Sequence, residues 1–337
     1  MRFRKVCSKE WPMCYTAASL TLDGSLYAVF ASEDRDNTGA VLMHGETETP
    51  LWKTPGGCMG IVQVPGKDEF LCIQRFYPIF QSENAEISWY YKREGIWKRK
   101  VLDTVPFVHR IAIVKENKRL YLIISRLCRE KAFPEDWSSS GCVYACEMDL
   151  LHRRIGQKNR ILDGLYQNHG LVKIASHNDI CLIAHQNGIH EITMDEKGFW
   201  TTKQIYSQPC SDVAVGRRGE GEVYEELGII TPFHGDTFQI IRKTGNNWEE
   251  VFGLQDHFGH GLWGGLIAEK ESYLVGFRGG TKGIYCIWVE KGGYRITPVD
   301  MGVGNANLTV FRWGQTDYIG AANRESNTYS IYEAEEN

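Results

Sequence analysis

The sequence lacks any long hydrophobic run. In its 337 residues, no stretch approaches the roughly 20 apolar residues that a membrane helix needs. Its first segment, MRFRKVCSKEW, is rich in charge and contains no apolar stretch long enough for a signal peptide. We therefore expect a cytoplasmic protein with no membrane partner.

Closely paired cysteines are also missing. The ten cysteines include no CxxC pair, and several lie in apolar runs such as FLCIQRF and DICLIAH. In such runs a free thiol packs as a small hydrophobic group. We therefore expect reduced thiols rather than a disulfide framework or a cysteine zinc site. The net charge of −4 offers no basic face for a duplex, so we expect no nucleic-acid partner.

Common catalytic signatures are absent as well. The chain has no P-loop, no GxGxxG motif after a strand and no GxSxG elbow, which argues against the nucleotide-binding and hydrolase folds built on them. No GH…WD pattern is present, which disfavours a WD40 scaffold. Because no linker-like tract divides the chain, we predict one domain over residues 1–337.

What the sequence does contain is a repeat of short strands. Runs of β-branched and aromatic residues alternate with Gly, Asn and Asp turns, a pattern typical of strands, and a period of about 40–50 residues is typical of a propeller. The units begin at Thr16, Met59, His109, His169, Asp212, His260 and Asn307. We therefore predict an all-β, seven-bladed β-propeller. Six or eight blades stay open if the insertion at 129–141, which we interpret as a loop, is divided differently.

The last unit supplies only three strands. The N-terminal stretch before the first unit is otherwise unassigned, and pairing it with those three strands would close the ring. Such pairing would also remove an exposed sheet edge. We therefore predict that the N-terminal strand completes the last blade.

One aligned position, at the end of each second strand, is ionisable in every unit. Its residues are Glu33, Arg75, Arg126, His185, His234, Arg278 and Arg324. Solvated strand ends would favour Lys and Glu, yet this position has no Lys and is dominated by Arg and His. These side chains suit planar recognition of oxygen-rich ligands. We predict that they surround a central pocket.

The starts of the inner strands face the same axis and contribute three histidines. His109, His169 and His260 together match a catalytic zinc or manganese site, which has three imidazoles and one open position. Taken singly, each histidine also fits a hydrogen-bonded structural role. Spacing along the chain leaves both interpretations open, because the three residues come from different blades.

The last two blades resemble a known family of propellers. HGLWGG (260–265), YLVGFR (273–278) and the segment from GNANLTVF to AANRESN (304–327) are similar to FG-GAP/VCBS-like propellers, and among these to the propeller of aldos-2-ulose dehydratase/isomerase enzymes. The resemblance implies a metal-bearing propeller that eliminates water from a keto-sugar and isomerises the product. The acidic calcium loops of FG-GAP repeats are missing here, so imidazole ligands fit the chain better than calcium does.

The implied chemistry assigns roles to the predicted rim. A three-histidine metal centre would polarise a carbonyl, and His185 or His234, whose ordinary pKa lies near neutral pH, would act as base or acid. The substrate would be a small carbohydrate or uronide. Side chains expected to bind it are Glu33, Arg75, Arg126, Asp212, Arg278, Asn307, Asn323 and Arg324.

Three alternatives remain at this stage, and the oligomeric state stays open. Four arginines leave room for an oligouronide lyase, since such lyases are also histidine-rich propellers. The same rim would serve a non-catalytic propeller that binds a glycan or a protein. A sialidase-like hydrolase would need a Tyr–Glu pair, and no tyrosine is clearly placed on the axis.

Overall fold

The computed structural model describes residues 1–35, 38–78, 81–116, 118–174, 180–216 and 224–335. In these residues the chain is all-β and forms seven antiparallel sheets arranged as a β-propeller, which confirms the predicted fold class. Blade 1 contains β2 (Cys14–Leu22), β3 (Ser25–Ser32), β4 (Ala40–His44) and β5 (Thr47–Trp52). Blade 2 contains β6 (Gly60–Gln63), β7 (Phe70–Gln74), β8 (Glu86–Arg93) and β9 (Ile96–Thr104).

The next three blades repeat this order. Blade 3 contains β10 (Val108–Glu116), β11 (Arg119–Arg126), β12 (Gly141–Asp149), the short β13 (Arg154–Ile155) and β14 (Asn159–Leu165). Blade 4 contains β15 (Gly170–Ile174), β16 (Ile180–His185), β17 (Gly188–Met194) and β18 (Trp200–Tyr206). Blade 5 contains β19 (Asp212–Val215), β20 (Glu226–Thr231), β21 (Thr237–Thr244) and β22 (Asn247–Gln255). The insertion at 129–141 is a loop up to the start of β12, as the sequence predicts.

The last two blades include the closure of the ring. Blade 6 contains β23 (Gly259–Ile267), β24 (Lys270–Phe277), β25 (Ile284–Glu290) and β26 (Gly293–Asp300). Blade 7 contains β27 (Asn305–Trp313), β28 (Thr316–Asn323), β29 (Thr328–Glu335) and, as its outer strand, β1 (Arg2–Glu10). The β1–β29 pairing runs from Arg2 opposite Glu335 to Glu10 opposite Thr328. The predicted closure by the N-terminal strand is therefore confirmed.

The core lies between the blades. Among the described residues, seven apolar clusters form, one for each pair of neighbouring blades. The largest joins blades 2 and 3 and contains the fully buried Trp89 and Ile124. All ten cysteines are free thiols, and nine of them are buried, as the sequence predicts. Each blade is therefore stabilised by both of its neighbours, and the inner strands meet around the axis.

The described part of the chain contains no helix that is long and apolar enough to cross a membrane.

Candidate functional site

A cavity opens on the axis where the inner strands begin. Its volume is about 320 Å³, and it is lined by Tyr15, Glu33, Met59, Phe76, Tyr77, Pro78, His109, His169, His234, Phe258, His260, Arg278 and Arg324. These residues come from inner-strand starts and from the ends and turns of second strands, the two groups that the sequence alignment brought together. Histidines and aromatic side chains pack against one another in this lining, as Phe76 does against His109 and Phe258 against His234.

Local irregularities at the inner-strand starts aim three side chains at this cavity. The pairing of inner and second strands shifts register between Cys14 and Thr16, between Val108 and Arg110, and between Gly259 and Gly261. The extra residues are therefore Tyr15, His109 and His260. A β-bulge re-aims the side chain of its extra residue, which explains why all three line the cavity.

The same irregularities correct the sequence alignment in two blades. The residue equivalent to His109 and His260 is Tyr15 in blade 1 and Ala306 in blade 7, whereas the sequence alignment used Thr16 and Asn307. A bulge adds one residue without changing the apolar pattern that follows, so the alignment slipped by one position. A tyrosine thus lies on the axis, contrary to the sequence-based expectation.

Three histidines converge inside the cavity. One ring nitrogen from each of His169, His234 and His260 lies within 4.8 Å of the other two. The Nε2 atoms of His169 and His234 are 3.2 Å apart, and the His234 and His260 rings stack with centroids 5.0 Å apart. Nitrogens bound to one tetrahedral zinc ion are roughly 3.4 Å apart, so a modest contraction of this cluster would hold a metal.

Hydrogen bonds outside the cavity orient two of these rings. The Nδ1 of His169 lies 2.7 Å from Oδ2 of Asp212, and the Nδ1 of His260 lies 2.7 Å from the carbonyl oxygen of Ala306. Because both oxygens accept, each Nδ1 donates and each Nε2 keeps its lone pair. A carboxylate or carbonyl behind a ligating imidazole is the usual arrangement in metal sites.

The surroundings favour the neutral form of three histidines that line the cavity, His109, His234 and His260. Burial lowers the pKa of His109, His234 and His260 well below the usual range, and the Arg110 guanidinium adds to this effect. A neutral imidazole is the form that binds a metal. Burial also raises the pKa of Tyr15 to about 12, so its hydroxyl keeps its proton and donates to Nε2 of His260 at 3.1 Å.

His109 lies beside this cluster rather than in it. Its ring centroid is 4.3 Å from that of His169, and its Nδ1 donates to the His169 carbonyl at 3.3 Å. The set that the structure brings together therefore contains His234 in the place where the sequence analysis expected His109. Both of these histidines line the cavity.

Two arginines at the cavity are already paired with carboxylates. Arg278 donates from Nε and Nη2 to one oxygen of Glu325, at 2.8 and 2.6 Å. Arg324 donates to Oε1 of Glu33, which bridges blades 7 and 1. Burial raises the pKa of Glu33, whereas the charge of Arg324 lowers it. The charges of Arg278 and Arg324 are therefore balanced by carboxylates of the protein itself.

Other predicted site residues lie outside the cavity lining. His185 hydrogen-bonds through Nε2 to Nδ1 of His190 at 2.8 Å, and burial lowers the pKa of His185 to about 4, contrary to the expected near-neutral value. Arg75 pairs with Glu86, and Arg126 donates to the carbonyl oxygens of Pro106 and Arg129.

Three further predicted residues do not line the cavity and hydrogen-bond to other residues of the protein. Asn323 is fully buried and donates to Ser330, and Asn307 donates to the backbone carbonyl of Tyr15 at 2.9 Å. Asp212 orients His169.

Sequence reasoning missed the aromatic wall of the cavity. Phe76, Tyr77 and Phe258 come from turns after second strands or between blades, where no repeat position marks them. Phe258 and His234 both have left-handed backbone conformations, with φ of 59° and 46°, which are uncommon for residues with a side chain. Strain of this kind clusters at functional sites.

Solved structures of other proteins share this fold. The chain is similar over 100% of both chains to Saccharomyces cerevisiae Sqt1, with a TM-score of 0.61 and 7% identity. Virginiamycin B lyase from Staphylococcus aureus matches with a TM-score of 0.58 and 10% identity, covering 99% of this chain and 100% of the other. A candidate 6-phosphogluconolactonase from Bacteroides fragilis matches with a TM-score of 0.60 and 10% identity, covering 96% and 91%. At these identities the likeness shows the propeller fold alone.

No protein-family model matches the chain, and no curated protein matches it. The resemblance to FG-GAP/VCBS-like propellers therefore stays a prediction.

Proposed function

We propose that the protein is a divalent-metal-dependent lyase that eliminates water or a similar oxygen leaving group from a keto-sugar or related carbohydrate. The observation that carries this proposal is the convergence of His169, His234 and His260, whose ring nitrogens lie within 4.8 Å of one another in a cavity. Asp212 and the Ala306 carbonyl hold two of the rings so that each Nε2 is turned toward another side chain of the cavity, His234 or Tyr15.

The three histidines would hold zinc or manganese, leaving a coordination position for substrate. When bound, such an ion polarises a carbonyl oxygen and so acidifies the adjacent C–H bond. His109 lines the cavity beside the cluster and is placed to accept the proton from carbon. As the C–O bond breaks, its electron pair leaves with the oxygen, and the Tyr15 hydroxyl is placed to protonate that oxygen.

One sequence-based prediction and one comparison favour a lyase. The sequence of the last two blades predicts a resemblance to propellers that dehydrate and isomerise keto-sugars. A histidine-to-alanine variant of virginiamycin B lyase, solved with quinupristin, is described as catalytically inactive, with a TM-score of 0.58 and 11% identity to this chain. A lyase that depends on a histidine is thus known on this architecture.

The test is metal content together with three alanine variants. Tag-free protein is stripped with a chelator, reloaded with zinc or manganese, dialysed and assayed by plasma mass spectrometry. We expect near-stoichiometric metal in the wild type and its loss in His169→Ala, His234→Ala and His260→Ala. His152→Ala is the matched control, because the side chain of this exposed histidine contacts Asp149 of its own blade and lies outside the cavity lining. A wild-type protein that retains no added metal would refute the proposal.

A panel of keto-sugars then tests the chemistry. Elimination next to a carbonyl yields a conjugated product that absorbs in the ultraviolet. We expect this absorbance to rise only with metal-loaded protein, and to disappear in His109→Ala although metal is retained. Metal binding without turnover of any sugar in the panel would argue against a keto-sugar lyase.

A non-catalytic glycan-binding propeller is the second candidate. The observation in its favour is the aromatic wall of Phe76, Tyr77 and Phe258, because such faces bind sugar rings without a metal. Glycan binding that survives in His169→Ala and His260→Ala, with no turnover by the wild type, would favour this function.

A further inference from the structure

We infer that the cavity selects neutral ligands over anionic ones, and that Glu33 and Glu325 are the residues that set this selectivity. The inference rests on the proposed function only for the identity of the cavity as the substrate site. It addresses a choice left open by the sequence, in which the arginines suited keto-sugars and uronides equally.

The first step is that the guanidinium of Arg278 is already hydrogen-bonded to a carboxylate. Its Nε and Nη2 both donate to Oε1 of Glu325, which uses the two-pronged side of the guanidinium that would bind a substrate carboxylate. The Arg278 side chain is 16% exposed and lies over the ring of Phe258, with 4.9 Å between guanidinium carbon and ring centroid. An incoming carboxylate would have to displace Glu325.

The second step concerns the other pair. Glu33 lines the cavity itself, and its side chain is only 9% exposed. Arg324 donates to Glu33 across the boundary between blades 7 and 1. An anion approaching Arg324 would therefore meet a buried negative charge, and the repulsion between two carboxylates is strong where water is scarce.

The third step is the apolar and aromatic part of the cavity lining. Met59, Phe76, Tyr77, Pro78 and Phe258 present apolar and aromatic surface to the same space. A neutral sugar ring can place its C–H face on such side chains, whereas an ionised group would lose hydration there without gaining a partner. Arg110, next to His109 in the chain, donates from Nη1 to the backbone carbonyls of Met59 and His109 at 3.3 and 3.4 Å.

The experiment compares a matched pair of ligands that differ in charge and by one methyl group. Galacturonate and its methyl ester are titrated into metal-free and zinc-loaded protein, with binding followed by ligand-observed NMR. We expect wild-type protein to bind the ester at least about tenfold more tightly than the acid. Equal affinity, tighter binding of the acid, or binding of neither ligand would overturn the inference.

The variant Glu325→Gln sharpens this test because it removes the negative charge that pairs with Arg278 while preserving shape. We expect it to increase affinity for the acid by about tenfold and to leave affinity for the ester nearly unchanged. Glu33→Gln provides a second variant for the other pair. Glu290→Gln is the control, since this glutamate pairs with Arg295 on the exposed edge of blade 6. An unchanged acid-to-ester ratio in both cavity variants would overturn the inference.

The readout separates this inference from the lyase proposal, because it measures binding rather than turnover. If the protein retains no metal but still prefers the ester in a Glu325-dependent manner, the selectivity stands and the lyase proposal fails. If metal is bound and sugars are turned over but the acid is preferred, the lyase proposal stands and the selectivity fails.

Discussion

Two groups of buried histidines in this molecule have different surroundings. At the axis, His169 and His260 bond through Nδ1 to the protein scaffold and leave Nε2 beside a cavity. In blade 4, Nε2 of His185 bonds to Nδ1 of His190, and the Asn187 backbone N–H donates to Nδ1 of His185. Burial alone therefore does not make a histidine a ligand. What matters is which nitrogen bonds to the scaffold and whether the other meets side chains that line the cavity.

The largest expected effect comes from weakening the hydrogen bond between His169 and Asp212 at the axis. Asp212→Asn can present its amide instead of an acceptor oxygen, which removes the preference for a donating Nδ1 on His169. We expect zinc affinity to fall by about 10- to 100-fold, measured by competition with a chromophoric chelator. Asp149→Asn is the matched control, because Asp149 makes the same kind of contact, 2.8 Å long, to Nδ1 of the exposed His152. Equal affinities in the two variants would contradict the role of Asp212.

The next effect concerns the blade 4 pair and its response to acid. The pKa of His185 is lowered to about 4 by burial and by His190, whereas an unfolded histidine titrates near 6.5. Between these two pKa values the unfolded state binds more protons than the folded state, so the free energy of unfolding rises with pH. The contribution of His185 is complete above about pH 7. For His185 alone, the free energy of unfolding should fall by about 2 kcal/mol between pH 7 and pH 5.

Urea denaturation of His185→Gln at both pH values isolates this contribution from that of the axial histidines. We expect the pH-dependent loss to shrink by about 2 kcal/mol relative to wild type. His257→Gln, at an exposed position, should behave like wild type. If His185→Gln loses as much stability in acid as wild type does, the blade 4 pair is not the origin of the effect.

The sequence predicted the repeat, the closure by β1 and most axis-facing positions, because strand periodicity and turn residues are local signals. His169, His234 and His260 were all among the residues singled out. The placement of His234 in the cluster was not predictable, because it depends on the turn after β20 and on a left-handed backbone conformation. The bulge before Thr16 hid Tyr15 for a related reason, since an extra residue leaves the apolar pattern unchanged.

The pairing of Arg278 with Glu325 was equally hidden. The two residues are 47 positions apart and meet only when blades 6 and 7 pack side by side. A sequence shows four arginines at equivalent positions and cannot show that carboxylates already pair with three of them, Arg75, Arg278 and Arg324.

The smallest expected effect tests how tightly the scaffold holds the axis. In blades 4 and 6 the axial histidine is followed by glycine, at Gly170 and Gly261. A Cβ on Gly170 would lie 2.8 Å from Cβ of Ala184 and 2.9 Å from the Cα of Asp212 in the next blade. Gly170→Ala should therefore push blades 4 and 5 apart and lower the free energy of unfolding by about 1 kcal/mol. Gly293→Ala, with no atom within 4 Å of its added Cβ, is the control in urea denaturation.

Because the displaced contact includes Asp212, Gly170→Ala should also weaken zinc binding, while the His185–His190 contact stays intact. A loss of stability without any loss of zinc affinity would show that the His169–Asp212 bond tolerates movement between these blades.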